Sequence, residues 1–184
     1  MKALGEVGVA RITRFLWTSL LVSVLRRMWI PPLRAACLRL YGARIGRDTV
    51  IHRLSLMNVD RGGFGALRIG ANCFLGDEVL IDLAAPVTLE DHVTLAARAV
   101  VLTHLNVGYK DHPLQGRFPS QTAGVTVRRG SFVGASATVL AGTTIGPEAF
   151  VAAGSLVNRD VSEGETVGGV PIRTLRERET SERR

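Results

Sequence analysis

The sequence predicts an all-β solenoid, a parallel β-helix preceded by a short helical segment. Three observations predict it. Val127, Val133, Val139, Ile145, Val151 and Val157 recur at a fixed spacing of six. Four residues beyond each stands a small or β-branched residue: Ser131, Ala137, Thr143, Ala149, Ser155 and Val161. Aromatic residues make up only 5% of the chain, which suits a narrow prism filled by Val, Leu, Ile and Ala.

A period of six matches neither a helical face nor simple strand alternation. It matches a short strand and a turn, repeated, so that the chain winds into coils with flat faces. The first residue of each unit points inward, and the small fifth residue relieves crowding at the corner. Glycines punctuate the turns: Gly130, Gly142 and Gly154 at the fourth position, Gly134 and Gly146 at the second. Glycine permits backbone angles that other residues resist.

Upstream, the same pattern runs through Ile45, Ile51 and Met57, then Ile69, Leu75 and Ile81, then Leu89, Leu95 and Val101. The last set is shifted by two residues at Ala84-Ala85-Pro86-Val87. Asp60 to Gly65 reads as a bulge or loop. A longer break, 104–124, holds Gly108, Pro113, Gly116 and Pro119. Loops of that length in compact domains are usually functional or disordered; here the functional reading is preferred. The expected organisation is a helical segment over 1–41, the solenoid over 42–172, and a charged tail over 173–184.

The net charge of +7 is concentrated at the front. Lys2, Arg11, Arg14, Arg26, Arg27, Arg34 and Arg39 face only Glu6 within residues 1–40, leaving the rest near neutral. A nucleic-acid groove on the prism would need a basic stripe there, so nucleic acid is not an expected partner. The run Phe15 to Leu25, closed by Arg26-Arg27, is too short to span a bilayer, and no small-residue cleavage site follows it. Pro31-Pro32 ends this helix, and Leu33 to Leu40 suggests a second. The segment either caps the open end of the prism or lies on an anionic membrane surface. The two can coexist. Cys37 and Cys73 form no disulfide framework, which predicts a reducing, cytoplasmic setting. Cys73, at a fifth position, reads as a small buried residue.

Among four histidines, His52 and His92 read as solvated and His112 as a weak candidate. His104 ends the Leu89–Val101 register and opens the long loop, so a rigid sheet anchors it beneath covering chain. An imidazole there suits general-base chemistry. Asp77 and Asp82 are the nearest carboxylates upstream and candidates to orient it. Three histidines converging on zinc would be needed for a metal enzyme on this fold; the histidine separations do not fit, and no metal is expected.

The sequence resembles the hexapeptide-repeat acyltransferases, particularly the sugar O-acetyltransferase branch that includes maltose, galactoside, capsule and O-antigen acetyltransferases. The resemblance covers about Gly42 to Arg176. It is carried by Leu-Ile-Asp-Leu-Ala-Ala-Pro-Val-Thr-Leu at 80–89, Leu-Thr-His at 102–104, Ala-Ala-Gly-Ser-Leu-Val-Asn-Arg-Asp-Val at 152–161 and Gly-Gly-Val-Pro at 168–171. It implies a left-handed coil, against the usual crossover rule. It also implies an acetyl-CoA-dependent O-acetyltransferase, homotrimeric, acting on a sugar or surface-polysaccharide precursor, with His104 as general base. Asp77 and Asp82 are then acceptor-binding. Asp77 departs from the asparagine often found at that slot and, when ionised, only accepts hydrogen bonds. Ala135, Ala153, Asn158, Arg159 and Arg173 occupy CoA-contacting positions. Small Ala135 and Ala153 admit a slender pantetheine, and the arginines suit phosphates. A serine acetyltransferase and a membrane-associated scaffold without catalysis remain the alternatives.

Overall fold

The computed structural model describes residues 9–175, with side chains from Ile12 onward; Lys2, Glu6, the side chain of Arg11 and the tail 176–184 lie outside the described residues. Two helices come first, α1 (Val9–Arg27) and α2 (Pro31–Leu40). Pro31 and Pro32 open α2 rather than end α1. Their fixed φ suits a first helical turn, where a missing N–H costs nothing.

From Arg44 the chain coils as a parallel β-solenoid. Three sheets form its faces. Sheet A contains β1 (Arg44–Ile45), β4 (Leu67–Ile69), β7 (Val87–Leu89), β12 (Val125–Val127) and β15 (Thr144–Ile145). Sheet B contains β2 (Val50–Ile51), β5 (Phe74–Leu75), β8 (Thr94–Leu95), β13 (Phe132–Val133), β16 (Phe150–Val151), β18 (Thr166–Gly168) and β19 (Arg173–Thr174). Sheet C contains β3 (Leu54–Met57), β6 (Val79–Asp82), β9 (Val100–Val101), β14 (Thr138–Val139) and β17 (Leu156–Val157). Each strand pairs with the equivalent strand one coil away, as in Val133 opposite Leu95 and Val151.

The repeat sets the core. All six period-six residues from Val127 to Val157 are fully buried, and so are their fifth-position partners to within a few per cent. Upstream, Ile69, Leu75, Ile81, Leu89, Leu95 and Val101 fill the same columns. The first coil departs from expectation. Met57 is exposed, and Leu56 takes the inward place opposite Ile81. That unit is one residue short, so a strict count of six slips out of phase there. Asp60 to Gly65 is also not a plain loop: α3 (Val59–Gly62) and a 3₁₀ turn (Phe64–Ala66) bury Val59, Phe64 and Ala66.

Two turn positions behave differently. At every corner after sheet A the fourth residue takes a positive φ, whether Asp48, Asn72, His92, Gly130, Glu148 or Gly164. At Gly134 and Gly146 the second position instead needs closeness. A Cβ on Gly134 would lie 2.4 Å from the Ala153 backbone nitrogen of the next coil.

The helices cover the first coil. Leu25, Ala35 and Leu38 are buried in the same core as the prism. Arg34, 1% exposed, donates to the carbonyls of Ile51 (2.6 Å), Leu25 (3.3 Å) and Met28, and so ties the helical hairpin to β2. At the far end β19 runs antiparallel to β18, and Leu175 donates back to Thr166. None of the described helices is long and apolar enough to cross a membrane.

Candidate active site

His104 stands where sheet C turns toward sheet A. It leaves the register after Val101 and pairs antiparallel with Thr122 in a short ribbon, β10 (His104–Leu105) with β11 (Gln121–Thr122). The long break is thus an arm with a paired base, and Ala123 returns to donate to Thr103. Leu105, Tyr109, Leu114 and Phe118 on this arm are exposed.

The imidazole is held from behind. His104 Nδ1 lies 2.5 Å from Asp82 Oδ2. Asp82 ends β6 one coil earlier and is fully buried. Its Oδ2 also accepts from the Thr103 backbone N–H and hydroxyl, both at 2.9 Å. Its Oδ1 accepts from Asn58 Nδ2 at 2.6 Å and the Ala84 N–H at 3.1 Å. Burial pushes this carboxyl up, but donors from His104, Asn58 and Thr103 outweigh it and hold the pKa at about 2. A carboxylate this well satisfied stays charged and accepts the Nδ1 proton. Nε2 is then the ring's free lone pair, on a side chain 22% exposed.

Asp82 therefore faces the imidazole and not solvent, which gives it an orienting place rather than direct reach to a bound acceptor. Asn58 and Thr103 complete the cluster, and neither is signalled by the repeat. Asn58 arrives through a left-handed backbone (φ 53°) just before α3. The Leu-Thr-His run at 102–104 contained the only cue to Thr103.

Asp77 sits elsewhere, at the corner between sheets B and C, and is half exposed. It is 3.4 Å from Arg53 Nε and 4.0 Å from His52 Nδ1. This corner forms one straight edge. Arg98 donates to Asp77, Ser136 to Ala97 and Gly154 to Ala135, which stacks Asp77, Ala97, Ala135 and Ala153 rung upon rung. The small residues leave the upper part of that edge shallow, a fit for a slender chain lying against the backbone. Arg173 is exposed and paired opposite Gly168, just before the same corner.

Asn158 and Arg159 are on the other edge, after β17, below which His104 lies. Arg159 forks onto Glu165 at 2.9 and 3.3 Å. Glu165, also bonded by Thr174, is held at about 2 by these partners. Within one chain the residues expected to bind CoA are thus split between two edges, and Asp77 and His104 are at opposite ends of sheet C.

His52 tilts against Phe74 with ring centroids 5.3 Å apart, and His92 is an exposed turn residue. His112 accepts from the Leu114 N–H within the arm. Cys73 is buried, and burial pushes its thiol up, so it is a packing residue. Among the described residues no group of His, Cys, Asp and Glu is arranged to hold a metal ion.

Residues 66–103 and 123–159 match the family model described as the hexapeptide repeat of succinyl-transferase; the arm falls between the two matches. No curated protein matches the sequence. Several solved structures share its shape. A hexapeptide-repeat-containing acetyltransferase from Vibrio cholerae superposes with a TM-score of 0.78 at 23% identity, covering 92% of this chain and 93% of that one. A maltose O-acetyltransferase from Clostridium difficile gives 0.77 at 18% identity, covering 91% and 88%. A galactoside acetyltransferase in complex with coenzyme A gives 0.76 at 20% identity, covering 92% and 83%. The chain is built of hexapeptide repeats. Its fold is the one shared by these acetyltransferases.

Proposed function

We propose that this protein is an acetyl-CoA-dependent O-acetyltransferase acting on a sugar or surface-polysaccharide precursor, with His104 as general base. The observation that carries the reading is the 2.5 Å contact from His104 Nδ1 to the buried, charged Asp82. It fixes the tautomer and aims Nε2 outward, the arrangement proton abstraction requires.

In the proposed reaction Nε2 takes the proton from an acceptor hydroxyl as its oxygen attacks the thioester carbonyl. A new C–O bond forms, the C–S bond breaks, and the proton passes from Nε2 to the departing thiolate. No acyl-enzyme is needed, consistent with a buried Cys73. Support for acetyl-CoA comes from the structural relatives, one of which is described as complexed with acetyl coenzyme A. Support for a sugar comes from those described as maltose and galactoside acetyltransferases.

The separation of the two edges favours a homotrimer. A ring closed by a heterologous contact sets the edge of one prism against a different edge of the next. His104 of one chain would then meet the Asp77–Ala153 edge of its neighbour, and the exposed apolar arm would cover the joint. Leu16, Trp17, Leu20 and Val24 leave an apolar stripe on α1 beside Arg27, which supports peripheral contact with an anionic membrane.

The test is release of free thiol from acetyl-CoA across a panel of sugars and amino acids. One acceptor class should give release that His104→Ala lowers by about 10²–10⁴-fold. Undiminished release in that variant removes His104 from the mechanism. No acetyl-CoA binding at all would leave a scaffold.

A further inference from the structure

A cleft of about 490 Å³ opens where the helical hairpin meets the edge between sheets B and C. Arg26, Arg27, Met28, Trp29, Arg53 and Asp77 line it, with Arg34 beneath. Its charge is unbalanced. Among the described residues, Arg53 is the one arginine here paired with carboxylates, Asp77 at 3.4 Å and Glu78 at 3.6 Å. Arg34 is buried, and its hydrogen bonds go to carbonyl oxygens alone. Burial disfavours its charge while Asp77 favours it, and a guanidinium stays protonated even so. Its field is poorly screened and reaches the cleft. Arg26 and Arg27 close the end of α1 at the rim, both exposed.

We infer that this cleft binds the phosphate of a phosphorylated sugar, and that the acceptor is of this class. Guanidinium groups recognise phosphate through paired donors. Trp29, 94% exposed, supplies a flat apolar wall on which a sugar ring stacks. Asp77 contributes an acceptor for sugar hydroxyls. It is also a rung, next above Arg53, of the edge that continues through Ala97 to Ala135 and Ala153. A phosphosugar in the cleft therefore lies at the acceptor end of the edge assigned to the acyl donor. The inference rests on the transferase reading above.

The probe is inorganic pyrophosphate, titrated into the full-length protein with CoA at saturation so that contacts to the donor's own phosphates are occupied. A Trp17→Phe background leaves Trp29 as the reporting fluorophore, since the chain has two tryptophans. A saturable fluorescence change is expected, with affinity at least about tenfold weaker in Arg26→Gln/Arg27→Gln. No saturable change, or equal affinity in that variant, overturns the inference; Arg53→Gln provides a second check. Glucose 1-phosphate and a polyprenyl-diphosphate-linked glucose in phosphatidylcholine vesicles then compete as alternative sources, and displacement by either supports the site and names its source. Binding to phosphatidylglycerol vesicles that is lost in Arg26→Gln/Arg27→Gln, kept in Leu16→Ser/Leu20→Ser and not displaced by pyrophosphate overturns it in favour of a membrane-surface patch. Pyrophosphate binding needs no acyl transfer. Its absence in an enzyme that still releases thiol therefore sinks only this site, and its presence without thiol release sinks only the transferase.

Discussion

An imidazole gripped through Nδ1 has one nitrogen left for chemistry. Asp82 provides that grip for His104. Replacing it by Asn keeps the shape but removes the charge and lets the ring adopt the other tautomer. Asp82→Asn should lower kcat by about 10²-fold or more with little change in KM, and should displace the pH–rate profile. A purely structural residue would leave the profile in place. The same carboxylate links stability to pH. Its pKa falls from an ordinary value near 4 to about 2 on folding. The stabilisation is complete above the unfolded value and lost as pH falls from about 4 to about 2. It is worth on the order of 2 kcal/mol, and chemical denaturation at stepped acid pH should show it in the native protein and not in Asp82→Asn. His104 was legible in the sequence, and Asp82 was one of the two carboxylates expected to orient it; which of the two was not. The repeat places residues on edges; it does not say which carboxylate is buried. Asn58 was hidden because it belongs to the irregular first coil.

At the scale of the strand and turn, the unit of six makes separable demands. Where the second position is glycine, as at Gly134 and Gly146, the next coil leaves no room for a side chain, and at most corners the fourth position takes a left-handed turn. Gly134→Ala thrusts a Cβ to 2.4 Å from backbone and should cost about 1–3 kcal/mol. Gly154→Ala meets nothing within 4 Å and incurs only the dihedral penalty at φ 69°, about 1–2 kcal/mol. Urea midpoints of the two variants should rank in that order. α1 and α2 were legible as helices and α3 was not, and α2's prolines were misplaced because Pro both stops one helix and starts the next. Leu25, Ala35 and Leu38 settle what the inner face of the hairpin does: it closes the prism. The outer face, with Leu16, Trp17, Leu20 and Val24, is what vesicle sedimentation would probe. Leu16→Ser/Leu20→Ser should reduce binding to anionic vesicles by about a hundredfold or more, since each buried apolar side chain contributes about 1.5–3 kcal/mol. Unchanged sedimentation would leave the hairpin as a cap alone.

For the whole molecule, the two edges make a sharper test of assembly than a sizing column. In the proposed homotrimer, His104→Ala would disable one edge, and Ala135→Trp would obstruct the other. Each homotrimer should be inactive. Subunits mixed, dissociated and reassembled should regain activity, because about a quarter of random head-to-tail joints pair two intact edges. No recovery would argue for a site completed within one chain. The coil itself was legible because six intact units run without interruption from Val127 to Val157. Which edges cooperate was not, since a solenoid contacts only its own neighbouring coils and its sequence carries no mark of the chain beside it.

If the proposed donor lies along it, the stacked edge is also a measuring device. Asp77, Ala97, Ala135 and Ala153 are successive rungs, so three inter-strand steps of roughly 4.8 Å separate the first from the last, about 14 Å in all. Length along this edge is therefore counted in whole strands. Adding a single duplicated coil would keep every column in phase while lengthening the gap between the basic cleft and the upper rim by one step. A donor whose reactive end must arrive opposite His104 would then fall short by that step. The number of coils, rather than any one side chain, would set how long a carrier arm the protein accepts.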